Sequence, residues 1–448
     1  MARGVWAVDV RALATGERLF HMNAGKLMMP ASNMKVLTLA AAAEKLGWDA
    51  RFTTTIEAAG TVYDGSLEGD LIVRGGGDPT INAREQRAAA VFDTWALALQ
   101  SAGIRRINGR IIGDDQAFDD EGIGPGWSWD YLQYGYAAPV GALQYNEDVA
   151  ALTVEAGRAE GDPAIVRLEA GSGLTLLNRA VTGPAGSLDT LGYRRHIDRP
   201  VLEVSGSIPI GTTLARTVAV VNPTIFFAQG LKDALIARGI AVAGEAVDFD
   251  DIGAELDLLA RPPQPIATTE SPTLLEIAIV LMKVSHNLYA ETLLKATGAA
   301  GGALGTTEAG RTAARAIFGA WGIPDDAYVQ FDGSGLSRYN YVTAEALAII
   351  LDRLHKETRH RDAFAATLAI AGKDGTVVNR MRKTRAEGNA AVKTGSIANV
   401  RTLSGYVRSR DGETLAFVML ANDFVIPTAT VNWIADLAVE TLANFSRR

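Results

Sequence analysis

Strand-like patterns at both ends of the chain impose the strongest constraint on its fold. The alternating residues 5–22 predict one hairpin. Residues 403–421 predict another around Asp411-Gly412, because Asp-Gly is the strongest short hairpin signal. An amphipathic helix from about Thr428 to Phe445 follows and would cover that sheet. Both chain ends therefore supply antiparallel strands.

The middle of the chain has a different organisation. Residues 83–102 and 224–238 each have a helical pattern that runs into Gly-Ile and then a strand, so the two units are expected to share one subdomain. Between them, residues 146–222 are strand-like and rich in turn residues, which predicts a mostly β module. Residues 274–296 and 344–355 have helical patterns.

The composition is that of a folded globular protein. Of 448 residues, 48% are hydrophobic and 21% charged, and the formal net charge of -8 argues against a nucleic-acid partner. The absence of cysteine excludes disulfides and thiolate catalysis. The apolar runs are shorter than the roughly 20 residues that span a bilayer, so no transmembrane segment is predicted. A strand pattern begins almost at the first residue, and we expect that any secretion signal has been removed.

Three short motifs stand in a fixed order along the chain. They are Ser32-Asn-Met-Lys35, Ser285-His286-Asn287 and Lys393-Thr394-Gly395-Ser396, and they match the S-x-x-K, S-x-N and K-T-G set. A serine three residues before a lysine is common on solvated helices, so each motif alone indicates little. Their order, and the helix or strand context of each, favour a catalytic site.

The first two motifs supply a nucleophile and its proton carriers. Ser32 precedes a helical run, which places it in the first turn of a helix, and Lys35 lies on the same helix face to remove its proton. A lysine is a base only when neutral, so its pKa must be lowered by burial and by a second cation, for which Lys393 is the candidate. Ser285 would relay a proton to the leaving amine. The Asn287 amide would orient Lys35 and the substrate.

The third motif is expected to form a strand facing the substrate. Gly395 would leave space for a substrate to pair as an extra strand. The hydroxyls of Thr394 and Ser396, with the charge of Lys393, would bind a terminal carboxylate. The backbone N–H groups of Ser32 and Ser396 would form an oxyanion hole.

Further segments extend the pattern over nearly the whole chain. They include Pro30-Ala-Ser-Asn-Met-Lys35, Arg74-Gly-Gly-Gly-Asp-Pro79, Trp127-Ser-Trp-Asp130, Ala137-Ala-Pro139, Ser285-His-Asn-Leu-Tyr-Ala-Glu291, Asp332-Gly-Ser-Gly-Leu-Ser-Arg338 and Leu403-Ser-Gly-Tyr406. With them the sequence resembles the low-molecular-mass class C penicillin-binding proteins, a family of D-alanyl-D-alanine carboxypeptidases and endopeptidases. The resemblance accounts for the long gap between Lys35 and Ser285, because members of that family insert two domains there.

The resemblance implies an α/β (α+β) fold class. A serine β-lactamase/DD-peptidase-like domain, with an antiparallel sheet flanked by helices and an all-helical lobe, would carry two inserted, nested domains. The penicillin-binding DD-peptidase domain would comprise residues 1–56 and 264–448. The inserted α/β domain would comprise residues 57–145 and 223–263, and residues 146–222 would form the nested, mainly β domain.

The family also implies a pocket for the side chain of a stem peptide. The matching residues here are Trp127, Trp129, Asp130, Tyr136 and Arg338. The three aromatic residues could equally belong to the core. The sequence departs from the family at His286, where aspartate is usual, and at Tyr131, where a second acidic residue is common. Without a second acidic residue at position 131, recognition of an amine on the peptide side chain by this pocket is in question.

The expected activity is that of a serine-type D-Ala-D-Ala carboxypeptidase or endopeptidase, acting on peptidoglycan stem peptides through an acyl-enzyme on Ser32. β-Lactams would acylate the same serine, and the cell-wall substrate would place the enzyme in the periplasm or otherwise outside the cytoplasm. No cofactor is expected. No metal site is expected either, because His355 and His360 lack a metal-binding arrangement. Ser334 lacks the first glycine of a G-x-S-x-G elbow, and we interpret it as a turn residue.

Two alternatives stay open. A β-lactamase-like hydrolase would share the three motifs but release its acyl group fast. A non-catalytic peptidoglycan-binding protein would keep the fold without acylation of Ser32. The sequence does not decide between carboxypeptidase and endopeptidase action, the stem-peptide preference, or the oligomeric state.

Overall fold

The chain divides into two compact units. The computed structural model describes residues 3–256 and 262–447. Of these residues, 3–50, 124–127 and 272–447 form one unit, which we call the terminal unit. The other, the inserted unit, consists of residues 51–123, 128–256 and 262–271.

Both units contain strands and helices. The strands are β1 (Val5–Ala12), β2 (Arg18–Met22), β3 (Thr53–Tyr63), β4 (Ser66–Gly75), β5 (Arg106–Ile107), β6 (Ile111–Asp114), β7 (Val149–Glu155), β8 (Ile165–Leu168), β9 (Thr175–Gly183), β10 (Gly192–Arg195), β11 (Val201–Pro209), β12 (Thr213–Ala219), β13 (Ala241–Val242), β14 (Ala246–Asp248), β15 (Gln264–Glu270), β16 (Tyr328–Val329), β17 (Tyr341–Val342), β18 (Ala369–Ile370), β19 (Ala391–Ile397), β20 (Val400–Arg408) and β21 (Thr414–Asn422). The helices are α1 (Met34–Leu46), α2 (Arg87–Ser101), α3 (Pro223–Ala237), α4 (Phe249–Leu256), α5 (Leu274–Lys283), α6 (Asn287–Ala299), α7 (Thr307–Ala320), α8 (Ala344–Lys356), α9 (Thr358–Thr367) and α10 (Thr428–Asn444). No helix in these described ranges is long and apolar enough to cross a membrane.

One antiparallel sheet joins the two ends of the chain in the terminal unit. Its strand order is β18-β19-β20-β21-β1-β2. The first strand pairs with the last along its whole length, from Val5 opposite Asn422 to Ala12 opposite Leu415. Both predicted hairpins and the predicted final helix are present, so the expectation of a sheet built from both chain ends is confirmed.

The two faces of this sheet differ in chemistry, because side chains alternate along each strand. On one face, Val8, Val10 and Phe417 pack against α10 through buried residues such as Val439. On the other face, polar side chains are buried. Among these are Asp9, Thr402 and Ser404, all at most 6% exposed. A buried polar group needs a hydrogen-bond partner, so this second face holds specific neighbours in fixed positions.

The helical segment predicted for residues 274–296 is interrupted. It begins with a capping box in which Thr273 and Glu276 satisfy each other's backbone N–H groups. Helix α5 then ends at Lys283, and α6 starts at Asn287. Ser285 lies in the break with φ of +62°, a left-handed conformation that a serine rarely adopts. The predicted helical pattern is present, but the break within it was not predicted, because such a pattern does not reveal a single residue with positive φ.

The inserted unit contains the two related helix and strand segments. Its main sheet has the order β13-β5-β4-β3-β15, with β6 between β4 and β14. Strand β13 pairs in parallel with β5, and β14 pairs in parallel with β6. Helices α2 and α3 contact each other. The expectation that the two segments lie in one subdomain is confirmed.

The expected domain borders differ from the division into compact units. Strand β15 pairs antiparallel with β3, and this pairing keeps both strands in the inserted unit. The borders expected at residues 56 and 264 fall in these strands, whereas the units divide after residues 50 and 271. Strands β7–β12 form two small sheets with their own hydrophobic cluster. A separate nested domain at residues 146–222 stays a prediction.

Gly405 offers a test of how tightly β20 is held against β19. Its φ is +149°, and a Cβ there would lie 2.1 Å from the Ala391 carbonyl oxygen. We expect Gly405→Ala to lower the free energy of unfolding by roughly 2–4 kcal/mol, since strain and a clash with backbone combine. The measurement is urea unfolding at equilibrium.

Gly412→Ala is the matched control for that substitution. Gly412 also has a positive φ, +88°, but a Cβ there meets nothing within 4 Å. Its cost should be only about 1 kcal/mol, the usual penalty for a left-handed residue. Equal losses for the two variants would contradict the assigned close approach of β20 to β19.

Candidate active site

The three motifs meet within the terminal unit. Ser32 lies in a 3-10 turn, Ala31–Asn33, that runs directly into α1, and Lys35 lies in the first turn of α1. Ser285 lies in the break before α6, whose first residue is Asn287. Lys393 lies in β19, as the predicted strand requires. Residues far apart in the sequence are therefore neighbours in one site.

The side chain of Asn33 fixes the turn that carries Ser32. It is fully buried, and its Nδ2 donates to Thr402 Oγ1 at 2.5 Å. Its Oδ1 accepts a hydrogen bond from the Ser404 hydroxyl. Thr402 Oγ1 also donates to the carbonyl oxygen of Pro30 at 2.8 Å. The polar face of the sheet thus binds both sides of the turn.

Lys35 is buried, and its amine has three oxygen neighbours. Nζ lies 2.9 Å from Ser32 Oγ, 2.6 Å from Asn287 Oδ1 and 2.7 Å from the Ser334 carbonyl oxygen. Burial lowers the pKa of Lys35 to about 7, although the negative charges of Glu291 and Asp332 act in the opposite direction. A large fraction of the lysine is therefore neutral near pH 7, as a general base must be.

The neighbours of Lys35 also decide where its lone pair points. Asn287 Oδ1 and the Ser334 carbonyl oxygen can only accept hydrogen bonds, so they take both N–H groups of a neutral amine. The remaining position, the lone pair, then faces Ser32 Oγ, which can donate its proton. The geometry suits removal of the serine proton by Lys35.

Lys393 is the second buried amine of the site. Its Nζ donates to Ser285 Oγ at 2.8 Å and to the Thr394 carbonyl oxygen at 2.7 Å. Its pKa is lowered chiefly by burial and further by the charge of Lys35. Burial is the main cause of the lowered pKa of Lys35, as expected, and the mutual repulsion of the two buried amines favours the loss of a proton from one of them.

The role expected for Gly395 also needs correction. A Cβ on Gly395 would lie 2.1 Å from Thr402 Oγ1 and 3.0 Å from the backbone nitrogen of Ser32. The missing side chain therefore gives room to the Ser32 turn and to its anchor, rather than to a substrate.

The outer edge of β19 has an open stretch. Strand β18 pairs only with Ala391 and Val392, and in the described residues no strand continues this pairing along 393–397. Ser396 is exposed there, and Thr394 Oγ1 donates to Thr376 Oγ1 at 2.8 Å. An unpaired strand edge of this kind can accept an extended peptide. Thr376 was not identified from the sequence, because no motif contains it.

The loop 332–337 contributes to the site through its backbone. Ser334 lies in a bend, as predicted, and its carbonyl oxygen contacts Lys35. Asp332 is fully buried and holds this loop, since its Oδ1 accepts from Gly335 N at 2.8 Å and its Oδ2 from Ser337 N at 2.6 Å. The Trp127 indole N–H also donates to Asp332 Oδ2, at 2.9 Å. A backbone acceptor leaves no signature in a sequence, so this contact could not be predicted.

Glu291 is a buried acid beside the same loop. It is 6% exposed, and burial together with the charge of Asp332 raises its pKa to about 7. Its Oε2 accepts from Gly333 N at 2.7 Å, and its Oε1 accepts from Ser334 N at 2.8 Å.

The residues expected to bind a peptide side chain are divided between the units. Trp127 and Arg338 are half-buried in the terminal unit, whereas Trp129, Asp130 and Tyr136 belong to the inserted unit. Trp129 is 63% exposed and Tyr136 is 45% exposed, so neither is a core residue.

Tyr131 belongs to an aromatic cluster in the inserted unit. Its ring packs edge-on against Tyr136, with centroids 5.6 Å apart. Tyr136 in turn stacks on Tyr134. The side chain of Tyr131 therefore takes part in aromatic packing.

His360 lies in a group of hydrogen-bonded charges. Its Nδ1 accepts from the Trp48 indole at 3.1 Å, and its Nε2 lies 3.0 Å from Glu44. Glu357 is close by, and Arg359 pairs with Glu44 at 2.7 Å. Both ring nitrogens thus have protein partners, and the absence of a metal there stays a prediction.

Comparisons with known proteins agree with this geometry. The model of the D-Ala-D-Ala carboxypeptidase 3 (S13) family matches residues 1–443. A D-alanyl-D-alanine carboxypeptidase from Actinomadura sp. (strain R39) is 35% identical over 434 residues, which cover 94% of this chain and 77% of that protein.

Solved structures show the same fold. Penicillin binding protein 4 from Haemophilus influenzae has a TM-score of 0.84 at 24% identity, and the match covers 99% of this chain and 98% of that one. Its complex with a novel β-lactam has a TM-score of 0.77 at 23% identity, covering 99% and 97%. The predicted fold class is confirmed, as is the expectation of a serine-type D-Ala-D-Ala carboxypeptidase, and the chain belongs to the D-Ala-D-Ala carboxypeptidase 3 (S13) family.

Proposed function

We propose that this chain cleaves D-alanyl-D-alanine peptides by acyl transfer to Ser32, with neutral Lys35 as the general base. The observation that carries the proposal is the contact of the buried Lys35 amine with Ser32 Oγ at 2.9 Å, together with two acceptor oxygens that fix its N–H groups. A serine is a weak nucleophile at its free pKa, and an adjacent base is the usual means of activating it.

The reaction proceeds in two steps. Ser32 Oγ attacks the carbonyl carbon of the penultimate D-alanine while its proton passes to Lys35 Nζ. The tetrahedral intermediate expels the terminal D-alanine when the C–N bond breaks, and the leaving nitrogen receives a proton through Ser285, whose hydroxyl lies 2.8 Å from Lys393 Nζ. Water then hydrolyses the ester on Ser32 and restores the enzyme.

The substrate would lie along β19. Its open edge can pair with an extended peptide, and we expect the hydroxyls of Thr394 and Ser396, with Lys393 behind them, to bind the terminal carboxylate. The backbone N–H groups of Ser32 and Ser396 are the proposed donors to the oxyanion. Trp127, Trp129, Asp130, Tyr136 and Arg338 are the proposed contacts of the peptide side chain.

The substrate class is peptidoglycan stem peptide, which places the enzyme outside the cytoplasm. β-Lactams are the expected covalent inhibitors, because their strained amide can acylate the same serine. The β-lactam complex of the Haemophilus influenzae protein supports this proposal. The choice between carboxypeptidase and endopeptidase action depends on whether a free terminal carboxylate is required.

Penicillin should label Ser32 and no other residue. Intact-protein mass spectrometry is expected to show one added penicillin on the wild type and none on Ser32→Ala. Ser409→Ala, in the turn between β20 and β21, is the control and should label as the wild type does. Labelling of folded Ser32→Ala would contradict the assignment of the nucleophile, and continuous turnover of a chromogenic cephalosporin would instead favour a β-lactamase.

The acylation rate should depend on the protonation of Lys35. Its pKa is about 7, so the base form dominates above pH 7 and the rate should fall about tenfold per pH unit well below it. Lys35→Arg should lose on the order of 10²–10⁴-fold, because a guanidinium stays charged. Stopped-flow acylation from pH 5 to 9 is the measurement. Lys356→Arg, at an exposed ion pair with Asp352, should keep the wild-type profile.

Thr394 should matter only for substrates with a free terminal carboxylate. Thr394→Val removes one hydrogen bond to a charged group, so KM for the free acid should rise on the order of tenfold. KM for the same peptide with a terminal amide should change little. Thr441→Val, at an exposed position of α10, is the control. An equal rise for acid and amide would contradict carboxylate binding by Thr394.

A further inference from the structure

Helix α6 reaches the Lys35 amine by two routes. Asn287, its first residue, accepts from Nζ directly at 2.6 Å. Glu291, one turn later on the same face, binds the backbone N–H groups of Gly333 and Ser334, and the carbonyl oxygen of Ser334 accepts from the same Nζ. The contact of Asn287 belongs to the Ser285-His286-Asn287 motif. The contact through Glu291 and Ser334 belongs to no motif.

The loop that carries Ser334 has almost no freedom to move. A Cβ on Gly333 would lie 2.4 Å from the Ala290 carbonyl oxygen, so the loop lies directly against α6. A Cβ on Gly335 would lie 1.8 Å from the Ala31 carbonyl oxygen, so the loop also lies against the Ser32 turn. The loop is therefore the physical connection between Glu291 and the nucleophile.

We propose that Glu291 is a positioning residue for acylation, whose carboxylate fixes the Ser334 carbonyl and thereby aims the lone pair of Lys35 at Ser32. This inference rests on the proposed function, in which Lys35 is the base. A carboxylate suits the task because it offers two acceptor oxygens to two consecutive backbone donors. A glutamine has one acceptor oxygen, and its amide would face the second N–H with a donor.

Glu291 acts on Lys35 through charge as well as through the loop. The charge of Asp332, from the loop, acts on both Lys35 and Glu291, and the charge of Lys35 acts on Lys393 of β19. A further buried cation, Lys295, lies one turn after Glu291 on α6. The negative charges of Glu291 and Asp332 raise the pKa of Lys35. Glu291 itself has a pKa of about 7, so it carries part of its charge where Lys35 titrates, and removal of that charge lowers the pKa of Lys35. The acidic limb of the acylation profile should then move to lower pH. A residue that only held the loop in place would lower the acylation rate without moving the acidic limb of the pH profile.

The test compares Glu291→Gln with the wild type by stopped-flow penicillin acylation from pH 5 to 9. We expect the maximal rate to fall at least tenfold and the midpoint of the acidic limb to move to lower pH. With peptide substrate, kcat should fall while KM stays within about twofold, because Glu291 is not placed to touch the substrate. Glu291→Asp keeps the charge and should keep the wild-type midpoint at a reduced rate.

Asp9→Asn controls for the loss of a buried acid. Asp9 is fully buried in β1 and bound to Arg11 and Arg18, and its replacement should leave the midpoint of the acidic limb unchanged whatever it costs in stability.

If Glu291→Gln does not fold, Glu291→Asp decides the matter, because an unreduced acylation rate in that variant overturns the positioning role. A folded Glu291→Gln with the wild-type maximal acylation rate overturns the proposal while wild-type labelling of Ser32 stands. Failure of the wild type to label would instead refute the proposed function itself.

Discussion

The amine of Lys35 is buried away from water, which costs free energy because the amine can carry a charge. The arrangement of the residues around it in the terminal unit offsets this cost. An ammonium group at this depth is unstable, so burial favours the neutral form, which can act as a base. The same burial requires oxygen partners for its N–H groups. Those partners come from α6 and from the loop 332–337, while the Ser32 hydroxyl faces the lone pair. Burial of Lys35 therefore has two results: the amine can act as a base, and its oxygen partners hold the site rigid.

Unusual backbone conformations occur where these pieces meet. Ala31 and Ser285 both have positive φ, and both flank or carry a hydroxyl of the site. Such conformations cost on the order of 1–3 kcal/mol each and persist only where the surroundings hold them. The buried Asn33 amide, bonded to Thr402 and Ser404, holds the first of them. Part of the folding energy of the sheet is therefore used to keep Ser32 in place.

Much of the terminal unit could be predicted, because its signals are local. Hairpin alternation gave β1, β2, β20 and β21, and the three motifs gave the residues that surround Ser32. What could not be predicted depends on single backbone torsions or on carbonyl groups. The break at Ser285 and the Ser334 carbonyl leave no pattern in the sequence, and the close approach that requires Gly395 involves Thr402, a residue outside every motif. The need for burial at Lys35 was predicted, and burial is the main cause of its lowered pKa.

The pairing of the first strand with the last has a consequence for the order in which the protein becomes active. During synthesis Ser32 emerges early, yet its turn is anchored by Thr402 and Ser404, 369 and 371 positions from Asn33. The inserted unit has its own core and can collapse while the ribosome is still working. The nucleophile cannot take its final position until the last strands are released. The site can therefore form only after β20, which follows the whole inserted unit in the sequence, has joined the sheet.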